Sequence, residues 1–332
     1  MAANRMLGID IGNYSVKMAV CQNRTLKQFV SEKIPDNMVK DNKIVSWDAM
    51  ADFLKEVIRT KGVKCRHCVI ALPADTSFIR RVTMPLMTEQ QLKVNLPYEF
   101  HNYISQDMEK YIYDYAVISR TEKEMDLLAV AAGRDFIDKY VEMCRRAGLK
   151  LVLIAPDIIA FRNILRSYEQ EHGLEHGAAD YAILDVGDRK IDLHFFSHGE
   201  YEVTRSLETG CHELMKTISE LTGQEVHIAK FAQEQSVDSS VMKDEKVQDS
   251  ISSISVQLMR VLNFYSYNNP ENTIDKLYIC GGGSRITELM QDISHTTGLE
   301  QRPLTDLISG DGGLKALLDT SPQAMGIVMQ EL

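Results

Sequence analysis

The sequence predicts an α/β protein with two lobes of similar plan and a small β-α-β-β-α insert in the first lobe. One observation is a strand–turn–strand pattern near residues 6–21 that recurs near 181–196. Another is that a third strand, segments of helical period and a buried-type strand follow each pattern, the first helical segment running from Trp47 to Thr60. The third is the region 77–149, where strand, helix, two strands and helix form a separate run. A chain of 332 residues is long enough for two such lobes.

The two hairpins form an internal repeat. The segment IDIGNYSVKMAV at 9–20 aligns without gaps on LDVGDRKIDLHF at 184–195. The aspartates Asp10 and Asp185 coincide, and so do the glycines two residues later and the alternating apolar residues after them. Both lobes are therefore predicted to place the same turn at the end of a strand.

The turn glycines Gly12 and Gly187 point to phosphate binding. Glycine lets backbone N–H groups approach phosphate oxygens because no Cβ intervenes. An aspartate at the strand end suits a magnesium ion held mostly through water. Asp-x-Gly alone is common in hairpin turns. The paired hairpins together with Gly281-Gly282-Gly283 after a buried strand nevertheless predict a nucleotide site, with the triglycine beside adenine or ribose.

Composition excludes several classes of function. The chain is 44% hydrophobic and 25% charged, which is ordinary for a globular protein. Its net charge is −10 and it has no basic cluster, so a nucleic-acid partner is not expected. No apolar run has the length of a membrane span and no signal peptide is apparent, which predicts a cytoplasmic protein. Cys65 and Cys68 form a C-x-x-C without a second pair, so a structural or incidental role is predicted.

Five motifs resemble the PilM proteins of type IV pilus assembly, which belong to the actin-like ATPases. They are Gly8–Lys17, Ile70–Pro73, Arg81–Pro85, Leu96–Ile104 and Ala324–Met329. The resemblance covers essentially the whole chain and implies an actin-like fold of duplicated ribonuclease-H-like lobes. The predicted segments are the first lobe at 1–76 and 150–178, the inserted partner-binding subdomain at 77–149, the second lobe at 179–314 with an outer helical subdomain at 211–274, and a C-terminal helix at 315–332 that returns to the first lobe.

The resemblance also implies that ATP and magnesium bind in the cleft between the lobes. The predicted nucleotide-binding residues lie on both hairpins, at and beyond the start of the helical subdomain, and in the glycine loop. They are Asp10, Gly12, Asn13, Tyr14, Ser15, Lys17, Asp185, Gly187, Gly210, Lys230, Gly281, Gly282 and Gly283. Magnesium is expected at Asp10 and Asp185, mainly through water.

Four positions in the second lobe depart from the family pattern. Asp188 and Ile191 stand where the family has a small residue and a threonine. Cys211 replaces the second residue of a paired glycine, and His227 takes the acidic position before Lys230. An acidic side chain beside the γ-phosphate repels it unless magnesium or the adjoining Arg189 and Lys190 compensate. A scaffold with a degenerate nucleotide site is therefore an alternative.

The sequence assigns no catalytic residue. Hydrolysis needs a side chain that orients water, and Asp157 is interpreted instead as the N-cap of a helix. At most weak ATPase activity is expected. A small-molecule kinase or a cell-division-type filament protein of the same fold stays an alternative function.

The predicted partner is the short N-terminal cytoplasmic peptide of an inner-membrane pilus protein, PilN-like, held at the insert. A predicted helix from Thr88 to Ile104, kinked at Pro97, places several aromatic residues there. The partner would recruit the chain to the inner face of the membrane. The resemblance also implies other pilus assembly proteins as partners and leaves self-association open.

Overall fold

The computed structural model describes residues 5–40, 42–104, 108–175, 177–222, 241–310 and 312–329. Packing divides the chain into two compact units, Met1–Asn163 with Gln323–Leu332, and Ile164–Pro322. The division falls at Asn163, upstream of the lobe boundary predicted at 178, and the finer subdomain limits stay predictions. Within the described ranges, no helix combines the length and the apolar content that a membrane crossing needs.

The first unit is built on a five-stranded sheet. Its strands are β1 (Arg5–Ile11), β2 (Ser15–Gln22), β3 (Thr25–Lys33), β6 (His67–Leu72) and β10 (Lys150–Pro156). Their order is β10-β6-β1-β2-β3, with β1 antiparallel to β2 and parallel to β6. A short ribbon of β4 (Val39–Lys40) and β5 (Lys43–Ile44) leads from β3 to helix α1 (Trp47–Thr60), whose apolar face packs on the sheet. The helix has the bounds that its apolar spacing predicts.

The insert follows the predicted order. It consists of β7 (Phe78–Pro85), α2 (Glu89–Asn95), β8 (Tyr111–Arg120), β9 (Glu124–Gly133) and α3 (Arg134–Arg146), with sheet order β7-β9-β8. Thr88 caps α2 in a reciprocal capping box with Gln91. The predicted helix to Ile104 with a kink at Pro97 is wrong in its length, because α2 ends at Asn95 and continues only as a 3₁₀ helix to Phe100. Pro97 lacks an N–H and its ring crowds the carbonyl of Lys93, so α-helical geometry cannot continue.

The second unit repeats the order of the first sheet. Its strands are β11 (Tyr181–Val186), β12 (Ile191–Ser197), β13 (Glu200–Leu207), β14 (Lys276–Cys280) and β15 (Glu300–Pro303), in the order β13-β12-β11-β14-β15. Again the first strand of the hairpin is antiparallel to the second and parallel to a later strand. Helices α5 (Cys211–Thr222), α6 (Glu245–Asn268) and α7 (Thr287–Thr297) contribute to its core.

Three further helices lie at or near the points where the chain passes from one unit to the other. Helix α4 (Asp157–Glu171) begins in the first unit and ends in the second, and the predicted N-cap Asp157 is its first residue. The region 315–332 is not one helix. Helix α8 (Gly312–Lys315) ends where this region begins, and the described part of the region continues as a 3₁₀ helix (Ala316–Thr320) and then as α9 (Gln323–Gly326). The two are separated at Pro322, which cannot continue the helical hydrogen bonds.

Candidate functional site

The first hairpin turns at Gly12 under tight backbone control. The Gly12 N–H donates to the Ser15 carbonyl at 3.2 Å. Asp10, one position before the end of β1, lies directly opposite Lys17 of β2, so both side chains project from the same face. The Lys17 Nζ is 3.5 Å from the Asp10 Oδ2, and both side chains are mostly buried. The hairpin thus carries a neutralised acid–base pair beside its turn.

The tip of the first turn is held by residues from beyond the hairpin. The Tyr14 carbonyl accepts from the Ile34 N–H at 2.9 Å, and the Lys33 ammonium lies 5.5 Å above the centre of the Tyr14 ring. On the other side, the Asn42 N–H donates to the Asn13 Oδ1 at 2.8 Å, and the Asn13 Nδ2 donates to the Asn42 Oδ1.

The second hairpin has the same register. The Gly187 N–H donates to the Lys190 carbonyl at 3.0 Å, as Gly12 does to Ser15. Asp185 lies directly opposite Asp192, the counterpart of Lys17. Asp192 accepts a hydrogen bond from the Ser206 hydroxyl. The two hairpins therefore share their backbone register but differ in charge. In the first, an aspartate lies opposite a lysine, and in the second, two aspartates lie opposite each other.

The start of α5 is bonded to the second turn. The Cys211 N–H donates to the Gly187 carbonyl at 3.1 Å, and the His212 N–H donates to the Asp188 carbonyl at 2.8 Å. A Cβ on Gly210 would lie 2.3 Å from the Asp188 carbonyl oxygen, so only glycine permits this approach. The structure thus brings the predicted site residue Gly210 to the predicted turn.

The departures at 188, 191 and 211 have local physical reasons. The Asp188 carboxylate is 3.6 Å from the Arg189 Nε and 3.9 Å from the His212 Nδ1. Its charge is therefore offset in part by the Arg189 guanidinium. Ile191 is fully buried in the core of the second unit. Burial raises the pKa of the Cys211 thiol to about 12, so this residue is a neutral, space-filling side chain.

The glycine loop packs on the second hairpin. Gly281 has φ +91°, and a Cβ there would lie 2.4 Å from the Asp185 Oδ1. A Cβ on Gly283 would lie 2.2 Å from the Cys211 Sγ. The Gly281 N–H already donates to the Asp319 carbonyl at 3.0 Å. The side of these glycines that a Cβ would occupy faces the protein itself, so any contact with adenine or ribose must come from the loop's other side.

The predicted magnesium ligands fit water-mediated binding. Across the residues that the structure describes, no three or more His, Cys, Asp or Glu side chains are grouped to hold a metal directly. Asp10 is the carboxylate at the first turn, whereas Asp185 has Asp192 opposite it and Asp188 in the turn. Magnesium usually takes one or two carboxylates and keeps several of its waters. Lys230 and His227 lie outside the described residues.

Three residues near the first hairpin, Asn42, Asp75 and Tyr140, are not predicted from the sequence as part of the site. Asn42 reaches Asn13, and its Nδ2 donates to the Asp75 Oδ2 at 3.5 Å. Burial first, and then the charges of Asp10 and Asp75, raise the pKa of Tyr140, so its hydroxyl stays neutral near both carboxylates. Asp75 lies close to the motif at 70–73, which could have pointed to it. Nothing in the local sequence marks Tyr140, on an amphipathic helix, or Asn42, in a loop, as site residues.

The two cysteines of the C-x-x-C are buried thiols. The Cys68 Sγ lies 3.9 Å from the Cys144 Sγ of α3, and the Cys65 Sγ donates to the Arg5 carbonyl at 3.2 Å. The hydrogen bond with the Cys144 thiol and then burial raise the pKa of Cys68, so it remains protonated. Both are core residues of the first unit.

Comparison with known proteins gives one family and several solved structures of similar fold. The family model "Type IV pilus assembly protein PilM" matches residues 8–307. Sequence comparison with curated proteins gives no match. A solved PilM–PilN type IV pilus biogenesis complex superposes with a TM-score of 0.82 at 18% identity, covering 98% of this chain and 97% of the other.

Two further structures share the fold. The ethanolamine utilization protein EutJ from Carboxydothermus hydrogenoformans has a TM-score of 0.60 at 14% identity, covering 98% of this chain and 91% of its own. MreB 5 of Spiroplasma citri bound to AMPPNP has a TM-score of 0.52 at 12% identity, covering 98% and 95%. The actin-like ATPase fold that the sequence predicts is confirmed. Because the family model matches most of its length, the chain belongs to the family of the type IV pilus assembly protein PilM.

Proposed function

We propose that the two hairpins bind one ATP with magnesium. The observation that carries this proposal is their identical register: Asp10 and Asp185, and the turn bonds of Gly12 and Gly187, occupy equivalent places in two sheets of the same order. Two glycine turns with adjoining acids are suited to phosphate oxygens and a hydrated cation. MreB 5, which shares the fold, is described with AMPPNP bound.

Charge gives the two hairpins unequal parts in this proposal. At the first, Lys17 neutralises Asp10 and can turn its ammonium toward a phosphate. At the second, Asp185, Asp188 and Asp192 make the surroundings of the turn acidic. Magnesium would supply positive charge between these carboxylates and the phosphates, held through water by Asp10 and Asp185. We expect affinity to depend strongly on magnesium, and hydrolysis to be weak at most.

We further propose that the chain is a type IV pilus assembly scaffold that holds the N-terminal cytoplasmic peptide of an inner-membrane pilus protein at the insert. The family and the described PilM–PilN complex support this role. Both outer strands of the insert sheet, β7 and β8, have a single neighbouring strand among the described elements, and an edge strand is a usual place for a peptide. Tyr98 and Tyr103 beside this sheet are 61% and 52% exposed.

Titration with a synthetic peptide of the PilN-like protein encoded by the same organism tests the partner. Replacing both Tyr98 and Tyr103 with alanine is expected to weaken peptide binding at least about tenfold, because exposed tyrosines are frequent energetic centres of interfaces. The matched control is Phe264→Ala, which removes a ring of 60% exposure from α6 of the second unit. Equal weakening by both variants, or by neither, would contradict the insert as the docking place.

A further inference from the structure

We propose that Asn42, at the tip of the β4–β5 ribbon, is a positioning residue for the first phosphate turn. The inference rests on the proposed binding of ATP at this hairpin. Asn42 does not need to contact the nucleotide for this role. It would hold the side chain of Asn13, and with it the backbone from Gly12 to Ser15, in the shape that receives phosphate.

The contacts form a short polar chain within the first unit. Asn13 and Asn42 are joined by two reciprocal hydrogen bonds, one of them from the Asn42 N–H at 2.8 Å. The Asn42 Nδ2 also donates to the Asp75 Oδ2 at 3.5 Å. Asn42 has φ +60°, a left-handed conformation that asparagine adopts more readily than most residues. This backbone conformation positions the side-chain amide of Asn42, and both its oxygen and its nitrogen form hydrogen bonds.

The second repeat supplies an independent parallel. In each unit, the link between the third strand of the sheet and the next helix folds back onto the turn. In the second unit this link delivers the N–H groups of Cys211 and His212 to the carbonyls of Gly187 and Asp188. In the first unit, where the corresponding link is the β4–β5 ribbon, the side chain and N–H of Asn42 do the same work at Asn13. Asn42 thus holds the first turn as the Gly210–His212 segment holds the second.

A held turn binds phosphate more tightly than a mobile one. Ordering a loop on binding lowers affinity, and a loop ordered beforehand avoids that cost. Removing the Asn42 side chain should therefore weaken MgATP binding and loosen the turn together. Charge adds a second consequence. Asn42→Asp keeps an oxygen for the Asn13 amide and keeps the backbone N–H, but it places a carboxylate beside Asp75 and near the proposed phosphates.

The experiment compares Asn42→Gly with Asn37→Gly, since Asn37, in the link between β3 and β4, also has positive φ (68°) and glycine suits both positions. Calorimetry measures MgATP affinity, and hydrogen exchange measures the amides of residues 12–15 without nucleotide. Asn42→Gly is expected to weaken affinity about tenfold and to speed exchange in the turn, with no larger a drop in Tm than Asn37→Gly. Asn42→Asp is expected to keep slow exchange and still lose affinity.

The outcomes separate this inference from the proposal on which it rests. If the wild type binds MgATP and Asn42→Gly behaves like Asn37→Gly in both measurements, the inference is overturned alone. Tighter binding by Asn42→Gly would also overturn it, because the amide pair would then compete with phosphate. If the wild type binds no MgATP, the proposed nucleotide function fails, and the exchange rates still decide whether Asn42 orders the turn.

Discussion

At the scale of single residues, Asp188 sets the charge of the second turn. Its carboxylate has partial compensation from Arg189 and lies 3.9 Å from the His212 Nδ1, and its carbonyl accepts from the start of α5. These backbone bonds do not involve the side chain at 188. An acidic side chain there acts on a bound anion through charge, and its effect can be removed without altering the turn.

Asp188→Asn is expected to tighten MgATP binding roughly three- to tenfold, about 1 kcal/mol, because one negative charge near the phosphates is lost. The gain should shrink at high salt, since this side chain is partly exposed and screening weakens the repulsion. Calorimetric titration at two ionic strengths provides the measurement. Asp249→Asn on the exposed face of α6 makes the same change in net charge and should leave the affinity unaltered. Weaker binding by Asp188→Asn would show that this carboxylate supports the ligand.

Whether the role of a residue can be predicted from the sequence depends on how far along the chain its contact partner lies. The hairpin repeat can be predicted because twelve consecutive positions align. Asn42 cannot, because its partner Asn13 is 29 positions away and a loop asparagine has no periodic pattern. The role of Gly281 and Gly283 in packing against Asp185 and Cys211 is likewise visible only when the strands are paired.

At the scale of elements, the C-terminal helix α9 closes the sheet of the first unit. Gly8 of β1 has no side chain, and the position of its missing Cβ is 1.7 Å from the Ala324 carbonyl oxygen. The Asn163 Nδ2 donates to the Gly326 carbonyl at 3.0 Å, and the residues of α9 are buried. Gln323–Gly326 is therefore buried as part of the first unit.

Gly8→Ala is expected to lower the free energy of unfolding by about 3 kcal/mol or more, because a methyl group cannot share the space of a backbone carbonyl. Gly133→Ala is the control, since a Cβ there would make an ordinary contact of 3.8 Å with Phe136. Urea denaturation of both variants gives the comparison. Equal midpoints would mean that α9 does not pack on β1 as described.

Helices with regular spacing of apolar residues are predicted well, whereas helices interrupted by a proline are predicted too long. The apolar spacing fixes α1 at Trp47–Thr60 because nothing interrupts it. The helix after Thr88 is predicted too long, since Pro97 changes the hydrogen bonding after Asn95 rather than bending a continuous helix. Similarly, Pro322 divides the predicted C-terminal helix, which a count of apolar residues does not register.

At the scale of the whole molecule, the duplicated plan is what the sequence predicts best. The two five-stranded sheets have matching order, and the family model and the fold agree with the motifs that point to them. The division of the chain at Asn163 is not predicted, because it falls inside a continuous helix whose sequence shows no break.

The central claim, that both hairpins bind one nucleotide, is tested most directly by calorimetric titration of MgATP into the wild type, Gly12→Ala and Asp185→Asn. Gly12 does not have positive φ, and a Cβ there would lie 3.1 Å from the movable Lys17 Nζ, so the alanine variant should fold. We predict one site per chain and at least about tenfold weaker binding, 1.4 kcal/mol, in each variant, with Gly133→Ala unchanged. Saturable binding that neither variant affects, or no binding by the wild type, would contradict the claim.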